Sequence, residues 1–262
     1  MQDYWLKKTA DAPLFPDLLW SRPENKRHAG KLGSIGGNAH GFAAAAEAYA
    51  GAQRTGIGTA RVLLPDSLTR TVGKLFPEAE FAPSTPSGSF ARTSLAELLV
   101  LGQWADGLLL AGDLGRNSET AILLEQLTEK YSGQLTLTQD ALDYFTATSS
   151  KLADRPNTLA VASLAQAQKL FGAARSAQAL TFSMDLSHLV EALHGFTQQH
   201  PINLIIKHHD VIAVATSGQV STTKVGDTLD AWRIPTAAAA ATWWLQNPNQ
   251  TFSSLTCSLL NY

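Results

Sequence analysis

The stretch from His28 to Pro65 limits the fold more than any other part of the chain. A short strand, Lys31 to Ile35, runs into Gly36-Gly37-Asn38, and the segment from Phe42 to Gln53 is nearly all alanine. Gly56-Ile57-Gly58 then precedes the apolar run Ala60 to Leu64, which stops at Pro65. Glycine permits positive φ and close backbone approach, so a strand stopping at a glycine pair predicts a tight strand-to-helix turn. Alanine is the strongest helix former, and glycine just past a helical stretch is a stop signal. The whole reads as a β-turn-α-β unit. In the functional reading, orphan N–H groups at the helix start, with the helix dipole, face an anionic or carbonyl-bearing ligand. In the plain reading the connection merely needs glycine, and the small side chains serve close packing on a sheet.

At 262 residues, with no segment resembling a linker, the chain is expected to form one domain over 1–262. Residues 1–27, rich in proline and aromatics, read as an N-terminal arm that packs Trp5, Phe15 and Trp20 on the domain or on a neighbouring subunit. A homo-oligomer is expected. The net charge of −2 and the lack of a lysine- or arginine-rich block provide no field for nucleic acid. No apolar run is long enough to span a bilayer and no signal-peptide core is visible, so the expected location is cytoplasmic, without membrane contact. The single cysteine, Cys257, reads as a small buried hydrophobe, and no cysteine/histidine cluster has metal-ligand spacing.

Further along, Asp66 to Thr69 reads as a capped helix start, with the helix ending at Phe76-Pro77-Glu78 and a short strand beginning at Phe81. Pro83 to Gly88 reads as a mobile surface loop. Ser94 to Gly102 has helical spacing, and Ala105 to Gly112 is a buried strand closing on glycine. The turn Asp113 to Glu119 leads into a helix ending at Tyr131, with Asp113 a possible cap, and Gln134 to Thr138 is a strand. Asp185 to Gln199 is an amphipathic helix whose His188 and His194 read as surface or packing residues. Asn203 to Lys207 pairs with Asp210 to Thr216 through His208-His209, and Pro235 to Gln246 is the last alanine-rich helix.

These residues carry a resemblance. His28-x-Gly30-x-x-Gly33, the Gly36-Gly37-Asn38 turn, the alanine helix and Arg54-Thr55-Gly56-Ile57-Gly58, preceded by Leu18-Leu19-Trp20-Ser21-Arg22-Pro23, resemble the opening of the ADP/ATP-dependent NAD(P)H-hydrate dehydratases, a branch of the ribokinase-like superfamily. Leu114-Gly115 with Glu119 resembles a glycine-rich turn of that family, from which Ala111, Gly112 and Asp113 depart. Gln139-Asp140-Ala141-Leu142 resembles its DADAL text with Thr138 in place of the first aspartate. Such a carboxylate either holds magnesium through water or caps a helix. Lys207 lies on the family's phosphate-binding lysine, with His208 in place of glycine. The resemblance implies a three-layer α/β/α sandwich around a mostly parallel sheet, ADP or ATP with Mg2+ as cofactors, and hydrated NADH or NADPH, or a related nucleotide, as the ligand. It places substrate contacts at Gly36, Gly37, Asn38, Ala44, Gly112, Asp113, Gly115 and Ser163, and nucleotide contacts at Lys207, His208 and Arg233.

The same alignment exposes what is missing. Ribokinase-like enzymes start their last major helix with Gly-x-Gly-Asp, whose aspartate acts as base while glycine N–H groups and the helix start hold the transferring phosphoryl group. Here Ala231-Trp232-Arg233-Ile234 falls on that position, with neither glycine nor carboxylate. Asp227 of Gly226-Asp227 lies several residues early and is the catalytic candidate, followed by Asp230. Ser163 and Gln166 stand where the family has histidine and glutamate. Three functions follow: a nucleotide-dependent NAD(P)H-hydrate dehydratase of normal or reduced activity, a catalytically inactive nucleotide- or metabolite-binding protein, or a small-molecule kinase, which needs the same missing aspartate.

Overall fold

The computed structural model describes residues 3–8, 13–145, 149–225 and 231–260. Its strands are β1 (Trp5–Lys8), β2 (Lys31–Gly36), β3 (Thr59–Pro65), β4 (Ala79–Ala82), β5 (Gly107–Gly112), β6 (Gln134–Thr138), β7 (Thr158–Ala162), β8 (Asn203–His208), β9 (Val211–Thr216) and β10 (Gln219–Lys224). They form one sheet in the order β1-β10-β9-β8-β7-β6-β5-β2-β3-β4. From β8 to β4 every neighbour is parallel, whereas β9 runs antiparallel to both β8 and β10, and β1 joins β10 in parallel. The helices are α1 (Pro16–Trp20), α2 (Ala43–Thr55), α3 (Thr69–Val72), α4 (Leu95–Trp104), α5 (Ser118–Lys130), α6 (Ser149–Ala153), α7 (Leu164–Ala173), α8 (Leu186–Gln199), α9 (Arg233–Gln246) and α10 (Thr251–Cys257).

Strand side chains alternate between the two faces, and the sequence runs follow that period of two. Leu108 and Leu110 of β5 point into a core shared with α4, α5, α7 and α8, while Leu109 and Ala111 point into one shared with α2, α9 and α10. Burial on both faces is why these strands read as continuous apolar runs. On the second face α2 and α9 pack closely through small residues: a Cβ on Gly51 would lie 2.9 Å from the Ala238 Cβ. The alanine-rich composition thus has a packing role.

The structure departs from the sequence-based expectations in several places. Asp66 opens only a 3-10 turn and the four-residue α3, and its carboxylate accepts from the Ser84 N–H at 3.0 Å instead of capping. The loop from Pro83 to Gly88, expected to be mobile, is tied down: Gly88 O accepts from Ala39 N and Ser67 Oγ, and Thr85 is buried. In the arm, Trp5 donates to Thr222 Oγ1 at 3.0 Å and Phe15 packs edge-on against Phe252, but Trp20 is 89% exposed. Leu18 is buried, and two positions along a helix turn a side chain by about 200°, so Trp20 faces away. β10 follows a tight turn at Ser217 (φ 48°) and Gly218 (φ 78°), the paired positive φ of a two-residue hairpin loop. His194 stacks on Tyr4 at 3.6 Å between ring centres, a packing role as expected.

Cys257 is buried, and burial pushes its thiol up to about 11. Little thiolate forms at neutral pH, so Cys257 is expected to resist thiol reagents until the protein is unfolded. Labelling of the native protein at the rate of a free thiol would contradict this.

Candidate functional site

Three strand ends converge on glycine. Gly36 pairs with Gly112 across a shift in the β2–β5 register, and a Cβ on Gly36 would lie 2.5 Å from the Gly112 carbonyl oxygen. That same oxygen accepts from Gly37 N at 3.0 Å. At Gly112, where φ is +115°, a Cβ would meet Gln139 Cβ at 2.6 Å at the end of β6. The backbones touch because these positions have no side chain. Parallel α/β sheets place ligands outside the C-terminal ends of their strands, and the cleft opens there.

Beyond the glycines the chain turns on Asn38 and Asp113. Asp113 adopts a left-handed conformation (φ 57°), its carbonyl accepting from Asn38 Nδ2 at 2.6 Å. Its carboxylate Oδ2 accepts from Ala44 N at 2.8 Å. Phe42, at the cap position of α2, offers no side-chain bond, so Asp113 caps that helix from another loop. As a cap for the helix after it, Asp113 is displaced by Asn117, which accepts from Glu119 N at 2.8 Å. The Ala44 N–H, expected to face a ligand, therefore faces an internal carboxylate.

Asp113 and Asn38 line an open cleft of about 700 Å³ with Gly115, Asp140, Tyr144 and Lys169. Gly115, at φ +77°, sits against Ser89 and its carbonyl accepts from the Tyr144 hydroxyl at 2.6 Å. Lys169 pairs with Asp143 at 3.6 Å. Asp140 Oδ2 accepts from Leu114 N at 3.0 Å, whereas its buried Oδ1 has no hydrogen-bond partner. Burial pushes this carboxyl above its ordinary range; the Leu114 N–H pulls it down and the neighbouring Asp113 charge pushes it up. A raised carboxyl contributes stability that is fully present below the unfolded-state value and lost as pH rises through the folded-state value. Asp140→Asn is therefore expected to melt higher than the wild type at neutral pH, with the gap closing as the pH falls into the acid range. A gap that widens on acidification would contradict that.

The second half of the chain contributes a hydrogen-bonded relay through Gln166. Ser163 caps α7 in a reciprocal box with Gln166. Gln166 Nε2 donates to Gln139 O at 2.7 Å and to Asp143 Oδ2 at 3.2 Å, while its Oε1 accepts from Arg233 at 3.1 Å. Arg233 is the first residue of α9; burial lowers its guanidinium from the usual range, and Asp143 and Asp140 act against that. Lys207 and His208 follow the Ala162–Ile206 pair at the end of β8. The His208 ring is only 5% exposed as a residue, lies within bonding distance of Met184 O through Nε2 (2.9 Å) and packs beside His209. Gly36, Gly37, Asn38, Ala44, Gly112, Asp113 and Gly115 thus share one corner, Ser163 and Arg233 reach it through Gln166, and Lys207 with His208 stands apart at the next strand end. Asp227 and Asp230 lie outside the described residues.

Tyr144, Asn117 and Lys169 escaped the sequence reading. Two had a signal to follow: Asn117, a preferred cap residue just before the helix that starts at Ser118, and Tyr144, two residues past the DADAL-like turn.

The mouth of α9 fits a polyphosphate poorly. Trp232 is 8% exposed, packed in the core with helical φ/ψ, and Pro235 brings no N–H to the first turn. Among the described residues, no group of three or more histidine, cysteine or carboxylate side chains is arranged to hold a metal.

No family model matches the sequence and no curated protein matches it. Solved structures do match in fold. A ribokinase-like superfamily protein from Enterococcus faecalis superposes with a TM-score of 0.72 at 15% identity, covering 99% of this chain and 87% of that one. The ADP/ATP-dependent NAD(P)H-hydrate dehydratase from Bacillus subtilis, co-crystallised with ATP/Mg2+, gives 0.64 at 12% identity, covering 96% and 87%. An ADP complex of pyridoxal kinase from the same organism gives 0.56 at 11%, covering 87% and 88%. The fold is a ribokinase-like α/β/α sandwich around a mostly parallel sheet.

Proposed function

We propose that this chain is a divergent NAD(P)H-hydrate dehydratase-like protein that keeps the metabolite side of its cleft and has lost the phosphoryl-transfer side, so that it binds a small polar metabolite without turning over nucleotide. The observation that carries the reading is the start of α9: a buried Trp232 and an arginine stand where the resembled enzymes have glycine donors and a base, and Pro235 follows them. Each lost element is worth about 10²–10⁴-fold in rate. Support for the retained half comes from the Gly36–Gly112 contact and the cleft beyond it.

Repair of hydrated NADH with ADP or ATP is the competing reading. It needs a carboxylate brought to the start of α9, which Asp227 or Asp230 would have to provide. Incubation with NADH hydrate and either nucleotide, following return of the reduced nicotinamide absorbance, separates the two. No return above the spontaneous rate is expected. Return that Asp227→Ala or Asp230→Ala abolishes would establish the enzyme.

A further inference from the structure

We infer that the open ledge beside α4, formed by β3 and β4 at one edge of the sheet, is the face through which two copies of this chain associate. A sheet in a layered fold ordinarily buries its faces against other elements. On one face of β3 and β4 that holds: Val62, Leu64, Ala79 and Phe81 pack with residues of α2 and α3. The alternation of strand side chains puts Arg61 and Glu80 on the other face, where they pair at 3.3 Å with side chains 43% and 47% exposed. β4 is the last strand of the sheet, and among the described residues no further strand lies beyond it.

α4 forms the wall of this ledge. Trp104 leans over it, with the Arg61 guanidinium 4.1 Å and the Lys31 ammonium 6.0 Å from the indole centre. Val100, one helical turn earlier on the same side of α4, is 63% exposed. A tryptophan flanked by cations beside an exposed valine has the composition of an interface centre.

The charges decide which partner fits. Arg61 and Glu80 carry opposite signs, and the exposed Lys31 and Asp106, joined by the Lys31 N–H and the Asp106 carboxylate at 2.8 Å, add one more of each. The ledge is neutral in sum, which offers no attraction to nucleic acid or to a strongly acidic or basic peptide. It is complementary to itself instead. A two-fold axis running between β3 and β4 sets each Arg61 opposite the Glu80 of the second copy and each α4 beside the other's terminal strand, so one patch serves both sides, as an isologous contact requires. The ten residues of α4 span about 15 Å, and the ledge is two strands wide. That is smaller than the roughly 800 Å² per partner of a standard interface, so the dimer is expected to be weak and concentration-dependent.

Sedimentation equilibrium of the full chain between about 1 μM and about 1 mM tests this, with the mass expected to rise from 28.0 kDa towards twice that value. Arg61→Glu and Glu80→Arg are each expected to weaken association about tenfold, because each sets like charges across the axis. Mixed one to one they are expected to associate again, since a copy with two glutamates then meets a copy with two arginines. Both positions are exposed, and a thermal melt of each variant confirms that it is folded. Recovery in the mixture is a result that damage to the fold cannot imitate. Val100→Ser is expected to weaken the dimer about tenfold as well, through the lost burial of the valine. A monomer at every concentration would overturn the inference and leave the ledge to a different protein. A dimer that neither charge reversal weakens would overturn it by placing the contact on another face, and weakened variants whose mixture stays monomeric would overturn it too.

Discussion

Replacing Trp232 by glycine is expected to destabilise the protein by about 3–5 kcal/mol and to restore no phosphoryl transfer. The indole is 8% exposed and joins the core formed by Ile205, Val225, Ala237 and Ala241, so its removal leaves a cavity where α9 meets the sheet. Truncation of buried tryptophan falls in that range because the surroundings relax only partly. Chemistry does not return with the glycine. Pro235 still withholds an N–H from the first turn, and the residues from Ala231 to Ile234 still include no carboxylate. The role of Trp232 at this helix is structural: its side chain supports the packing of α9 on the sheet. Urea midpoints at unchanged slope measure the cost. A variant as stable as the wild type that hydrolyses ATP would overturn both this account and the proposed loss of function.

The parts of the fold that were legible in the sequence are those written locally. β5 and β8 are apolar runs bounded by glycine or by a polar hairpin, made continuous by burial on both faces, whereas β2, Lys-Leu-Gly-Ser-Ile-Gly, is only half apolar and was marked by the glycines that end it. β1 reads Trp-Leu-Lys-Lys, an edge strand with Trp5 alone packed on the core, and its partner β10 lies more than two hundred residues away, so no local pattern announces it. β10 itself is half threonine and serine with a single apolar residue, Val220, although Ser217-Gly218 was a visible hairpin signal.

The site divides in the same way. Gly36, Gly37 and Gly112 were readable because tight turns demand a residue without a Cβ. The partner of Asp113 was not. A helix cap is ordinarily sought within a few residues of the helix, whereas Asp113 reaches α2 from 69 positions further along the chain. Gln166 presents the same difficulty: its bridge between Gln139, Asp143 and Arg233 exists only once three separate segments have met.

Gly36→Ala is the second substitution expected to have a large effect, about 1–3 kcal/mol of destabilisation. The new Cβ would stand 2.5 Å from the Gly112 carbonyl oxygen and 3.3 Å from the Ala45 Cβ. A flexible side chain could swing away, but the nearest atom is backbone, and that oxygen is also the acceptor for Gly37 N. Relief requires β2 and β5 to separate at the point where both enter the cleft. Because that oxygen is shared, the strain spreads into the turn that holds Asn38 and, through its bond to the Asp113 carbonyl, into the cap on α2. The variant is thus expected to lose ligand binding along with stability. Gly41→Ala is the control from the same loop, since a Cβ there would meet nothing within 4 Å. Its expected effect is neutral or stabilising by up to about 1 kcal/mol, because alanine narrows the unfolded ensemble. Parallel thermal and urea melts of the two variants decide the matter: equal stability of Gly36→Ala and Gly41→Ala would show that the crossing of β2 and β5 does not depend on the glycine, and the account of the cleft built on it would fail.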